Sequence, residues 1–108
     1  MEISTNSAPR VRGGTERAIE AAYRNLGYAI VEDCCAEWLE AATRIKKLRV
    51  KEKYKGLTTG QATTLRHSIA ERVKCEMWLY SDECYDLCGY EGKELIANLE
   101  KRLKERGY

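Results

Sequence analysis

Apolar residues recur along most of this chain at steps of three and four, the spacing that keeps side chains on one helix face. The first run is Ile19, Ala22/Tyr23, Leu26, Ile30, Cys34, Trp38, Ala41/Ala42, Ile45 and Leu48. Thr15 and Glu16 supply a capping hydroxyl and a first-turn acid for it. Gly27 interrupts the run, and a glycine inside a helix costs about 1 kcal/mol relative to alanine. Either one long helix tolerates it or a short helix ends there. The pattern favours two helices, the second running from about Tyr28 to about Tyr54.

Lys55-Gly56-Leu57-Thr58-Thr59-Gly60 reads as a loop, with two glycines and two capping threonines. The next helix is expected over Gln61 to Tyr80, with Leu65, Ile69, Val73, Met77 and Tyr80 as its buried stripe and Ala70 and Trp78 widening it. Ser81 is the N-cap of a short helix from Asp82 to Cys88, which Gly89 stops. A last helix follows from Glu91 to Arg106, with Leu95, Ile96, Leu99 and Leu103 inward. Its final turns carry Lys101, Arg102, Lys104 and Arg106, where the helix dipole favours positive charge. No segment alternates with period two. The expectation is an all-α fold: a small bundle of four to five helices with one long helix.

Length changes this picture little. The 108 residues make one domain, expected over 15–108, preceded by a disordered tail over 1–14 that is polar and holds the sole proline, Pro9. Arg10 and Arg12 in that tail are possible auxiliary contacts. Phenylalanine is absent, so Trp38, Trp78 and the seven tyrosines supply aromatic bulk, and each carries a polar edge suited to half-buried positions. The tail has no apolar core of the kind an export signal needs. No apolar run approaches the roughly 20 residues of a membrane span.

Charge changes it more. The net charge is only +2, but it is unevenly spread. Arg44, Lys46, Lys47, Arg49, Lys51, Lys53 and Lys55 stand against a single acid, Glu52. Just before them lie Glu32, Asp33, Glu37 and Glu40, with no base between. The basic segment spreads charge around most of a helix circumference, so it must project into solvent or meet an anionic partner. Phosphates and an acidic protein surface are both candidates. Asp33, Glu37 and Glu40 line one strip at i, i+4 and i+7, which could mimic phosphates in a basic groove or simply be solvated.

The five cysteines are Cys34, Cys35, Cys75, Cys84 and Cys88. An odd count with a vicinal pair and no export signal argues for free thiols in a reducing compartment. Cys75, Cys84, Cys88 and His67 are ligands of the right type for zinc, but their spacing matches no familiar knuckle, and small buried cysteines are the plainer reading. Cys34 and Cys35 point about 100° apart on a helix and would bridge only with strain. His67 is the lone histidine, and its i, i+4 relation to Glu71 is ordinary surface pairing. No glycine-rich phosphate cradle accompanies it. The expectation is therefore no catalytic residues, no enzyme activity, no cofactor and no metal.

From Tyr28 to Leu103 the chain resembles small prophage-encoded helical proteins of Gram-positive bacteria. The likeness rests on Ala29-Ile30-Val31 followed by Trp38 and a basic stretch. It rests also on Glu76 to Ser81, then Leu87, a glycine, and a Gly-x-x-Leu-Ile element from Gly92 to Ile96. Cys84 and Cys88 depart from it, standing where an aromatic and a Thr-like residue are expected. The resemblance implies a bacterial cytoplasm and a phage-type protein that binds a host or phage macromolecule. Inhibition of a defence nuclease, as by anti-CRISPR proteins, is among the roles it implies. A protein partner comes first, nucleic acid bound through the basic segment second, and a small zinc module third. A homodimer through the apolar stripe of Tyr28 to Tyr54 is a further expectation.

Overall fold

The computed structural model describes residues 13–108, so the tail expected over 1–14 lies outside the described residues up to position 12. Among the described residues there are four helices and no strand: α1 Gly13–Lys55, α2 Thr59–Leu79, α3 Asp82–Cys88 and α4 Gly92–Glu105. At about 1.5 Å of rise per residue, the 43 residues of α1 account for the long dimension of a 65 × 27 × 23 Å molecule.

The break expected at Gly27 is absent, and α1 runs straight through it. The glycine is there for packing. A Cβ at this position would stand 3.1 Å from the Leu87 carbonyl oxygen and 3.2 Å from its Cδ2. The missing side chain lets α3 lie close against α1, which offsets the propensity cost of a mid-helix glycine.

Local chemistry sets the boundaries at the three connections between helices. Gly56, at φ 76°, ends α1 with its N–H on the Lys51 and Glu52 carbonyls. Thr58 then caps α2 reciprocally: its Oγ1 accepts from Gln61 N–H, and Gln61 Oε1 accepts from Thr58 N–H, both at 3.1 Å. Ser81 Oγ accepts from Cys84 N–H at 3.2 Å to start α3, and Gly89 in the left-handed region stops it. At the start of α4, Glu94 Oε1 accepts from Glu91 N–H at 3.1 Å, and Glu94 N–H donates to the Glu91 carbonyl at 3.0 Å.

α1 and α2 form an antiparallel hairpin, since the contacts run in opposite order along them. Trp38 meets Glu76, while Arg44 meets Ser68 and Glu71. α3 and α4 close over the end of this hairpin. The core gathers Trp38, Leu79, Cys84 and Leu99, all essentially sealed from solvent, around Val31, Leu39, Ala42, Cys75, Ile96 and Leu103. Trp38 also carries a polar anchor: its Nε1–H donates to Glu76 Oε2 at 2.8 Å. The same oxygen takes Arg72 Nε–H at 3.1 Å, and the Arg72 guanidinium lies 4.9 Å from the indole centroid. Charge-assisted bonds of this kind fix a ring that would otherwise bury an unpaired donor.

The buried face of α2 differs from the expected stripe. Leu65, Ser68, Cys75 and Leu79 are buried, whereas Val73, Met77 and Tyr80 are exposed and Ile69 is half-buried. Ala70, expected to widen the core face, is exposed as well. An i, i+4 ladder advances about 40° around the helix at each step, so a chain of such steps winds away from the core. The true face alternates threes and fours through Ser68 and Arg72, two polar residues that hide it from a hydrophobicity pattern. Ser68 is sealed because its Oγ accepts from Arg44 Nε–H at 3.2 Å. α1 shows the same winding: Leu26 and Ile30 are exposed, while Val31 and Trp38 face inward. The apolar stripe expected to pair two copies over Tyr28 to Tyr54 is thus largely covered by the chain's own helices.

Candidate interaction surfaces

The outward turn of Val73, Met77 and Tyr80 leaves an apolar strip on the solvent side of α2. These side chains are 48%, 71% and 57% exposed, and none of them belongs to the core cluster. Tyr80 stands at the end of the strip and, with Tyr85 of α3, walls a depression of about 330 Å³ floored by Ser81 and Gly92. Exposed Met and Tyr in one place is the composition of recognition surfaces: Met adapts to irregular partners, and Tyr gives large contact area at low entropy cost. The sequence pattern identifies these residues but places them in the interior. The signal that could have placed them is the competing Leu65–Cys75–Leu79 register.

The basic segment divides into two strips on α1. Arg44, Lys47, Lys51 and Lys55 follow one another at steps of three and four, as do Lys46, Arg49 and Lys53 on another side. Lys46, Lys47, Arg49, Lys53 and Lys55 are exposed; Arg44 and Lys51 are half-buried. Arg44 is committed inside the fold, donating to Ser68 Oγ and, at 2.8 Å, to Glu71 Oε1. Arg49 pairs with Glu52 at 3.1 Å. Arg106, the C-cap of α4, donates to Thr43 Oγ1 at 3.4 Å, which brings the C-terminal bases beside the start of the segment.

Asp33, Glu37 and Glu40 are all exposed on the outer side of α1. Glu37 edges toward α2, its Oε1 3.9 Å from Cys75 Sγ. Glu40 edges the other way, to the rim of a groove of about 780 Å³ between α1 and α4. That groove has Tyr28, Leu39, Tyr90 and Leu95 in its walls and Arg102 across from the acid. The structure keeps the three acids on one ridge and places them apart from the α2 strip.

The cysteines are all free and stand in two places. Cys34 Sγ lies 3.7 Å from the Cys75 carbonyl oxygen across α1 and α2, while Cys84 neighbours Cys88 and Cys35 at the base of α3. His67 is exposed on α2. Among the described residues no three of His, Cys, Asp and Glu come together as a metal site. Burial pushes the Cys34 and Cys84 thiols up from 9.0 to about 12, with neighbouring cysteines adding to the rise. Burial likewise raises Cys35 and Cys75.

A thiol with a pKa near 12 is about one part in ten thousand thiolate at pH 8. Cys34 and Cys84 therefore resist iodoacetamide in the folded protein and react freely in guanidinium, which peptide mass spectrometry reads directly. Because these folded-state values lie above the unfolded one, the protonated thiols stabilise the fold fully below pH 9. That contribution is lost as pH climbs from 9 toward 12.

Among the described residues no helix is long and apolar enough to cross a membrane. No family model, no curated protein and no solved structure matches the chain.

Proposed function

We propose that this is a non-enzymatic, phage-type interaction protein that docks on a host or phage protein and modulates it. A bacterial defence nuclease of the CRISPR type is the partner class that the prophage resemblance suggests. The observation that carries the reading is the exposed Val73–Met77–Tyr80 strip with Tyr85 beside it. An aliphatic and aromatic strip leading into a small depression, whose lining also includes Asp82, Glu91 and Lys93, is suited to a protein anchor. Asp82, Glu91 and Lys93 stand at the depression, and the charged residues of α1 lie farther off, where they steer encounter more than they hold the complex.

Affinity capture from a bacterial host, followed by a nuclease-inhibition assay on the captured partner, tests the reading. Met77→Glu lies at a centre of contact, where truncation or charge costs 2 kcal/mol or more, so it weakens capture by about 30-fold. Circular dichroism stays unchanged, because the residue touches no core. Undiminished capture by Met77→Glu and by Tyr80→Glu removes the strip as the docking face.

A second reading, nucleic-acid binding, has its own observation: Lys46, Arg49 and Lys53 lie on one strip, and the Arg106–Thr43 contact brings α4's bases close to its start. It predicts a gel-shift at low salt that fades steeply as salt rises and that Lys46→Glu with Lys53→Glu abolishes. No shift at low salt eliminates it.

A further inference from the structure

The charges of α1 form a straight ridge. Asp33, Glu37, Glu40, Arg44, Lys47 and Lys51 follow one another at steps of four, three, four, three and four. The eighteen residue steps from Asp33 to Lys51 make five turns at 3.6 residues per turn, so the ridge places about one charge per turn and returns to the same side of the helix. Four of the six side chains are exposed, and Arg44 and Lys51 are half-buried. Among the described residues Asp33, Glu37, Glu40, Lys47 and Lys51 join no salt bridge.

The ridge is also symmetric in the sense that matters for pairing. Taking Ala42 as its midpoint, Asp33 stands nine residues before and Lys51 nine after. Glu37 and Lys47 stand five before and five after, and Glu40 and Arg44 two before and two after. Every acid has a base at the mirrored position.

We infer that the outer ridge of α1 binds a second copy of this chain, antiparallel, with the two-fold axis near Ala42. In that arrangement Asp33 meets the opposite Lys51 and Glu37 approaches the opposite Lys47, each twice by symmetry. Glu40 adds its charge near the opposite Arg44, which keeps its own bond to Glu71. A parallel copy in register sets like against like and is rejected by the same charges. The surface is distinct from the α2 strip, so self-association and partner docking do not compete for the same residues.

The interface is mainly electrostatic, so salt controls it: the Debye length falls from about 10 Å at 0.1 M to about 3 Å at 1 M. Sedimentation of the full chain at 100 µM is expected to give twice the 12.4 kDa mass in 0.1 M NaCl and the monomer mass in 1 M. Asp33→Lys with Glu37→Lys leaves Glu40 as the ridge's one acid, and Lys47→Glu with Lys51→Glu leaves Arg44 as its one base; each variant alone sediments as a monomer. Mixed in equal amounts they recover the doubled mass as a heterodimer. A monomeric wild type at 0.1 M overturns the inference. So does either reversal leaving the doubled mass intact, or a mixture that stays monomeric while both variants keep the native circular-dichroism spectrum.

Discussion

Replacing Trp38 with alanine lowers the stability of this protein by about 3–5 kcal/mol, the range for removing a large aromatic from a core. The residue is the centre of the molecule in two senses. Its ring is fully sealed against α2, α3 and α4, so truncation leaves a cavity that a short helical bundle cannot refill. Its Nε1–H also organises Glu76 and Arg72. Without the indole, Arg72 loses the ring beneath it and Glu76 keeps only one partner. Against a total stability of about 5–15 kcal/mol for a domain of this kind, the loss is a large fraction of what holds it folded. Trp38→Phe separates the two effects: it keeps most of the volume and gives up the hydrogen bond, so it costs about 1–3 kcal/mol. Urea unfolding followed at 222 nm measures both.

Substituting valine for Gly92 is the second large effect, expected at about 3 kcal/mol, the upper end of overpacking costs. The first residue of α4 lies directly on the end of α2. A Cβ there would stand 2.6 Å from Tyr80 Cδ1, 2.7 Å from Tyr80 Cα and 2.8 Å from the Leu79 carbonyl oxygen. Two of those atoms are backbone, so no rotamer change relieves the clash and α4 must shift. That shift disturbs Ile96 and Leu99 and opens the depression between Tyr80 and Tyr85. Gly92→Ala shows the same sign with a smaller loss. A valine variant as stable as the parent in thermal unfolding would show that Gly92 does not lie against the end of α2.

Where sequence and structure agree, the chain carries its own punctuation. Ser81 and Gly89 bracket α3 at the positions their chemistry requires, and Ile96, Leu99 and Leu103 are the buried face of α4, with Leu95 half-buried beside them. Both depend on residues within a turn of each other. They parted where a residue's role depends on something distant. Gly27 reads as a helix stop because its neighbours in sequence say nothing of Leu87, sixty positions away, which needs the space. Val73 and Met77 read as core because they are apolar at a helical spacing. Ser68 and Arg72, which occupy the buried side instead, are polar and acceptable there only through Arg44 and Glu76. A hydrophobicity pattern has no access to those partners. The acidic and basic residues of α1 were plain in the sequence; that they form one unwound ridge needed the unbroken helix.

The central claim is that one side of α2 is sealed while the strip through Val73, Met77 and Tyr80 faces solvent, free to meet a partner. Two glutamates, placed two residues apart, test it most directly in thermal unfolding. Met77→Glu is expected to leave the melting temperature within a few degrees of the parent, because the side chain is 71% exposed. Leu79→Glu, at 1% exposure, buries an unpaired charge and is expected to abolish the cooperative transition at 37 °C. The reverse pattern, with position 77 intolerant and position 79 indifferent, would contradict the account.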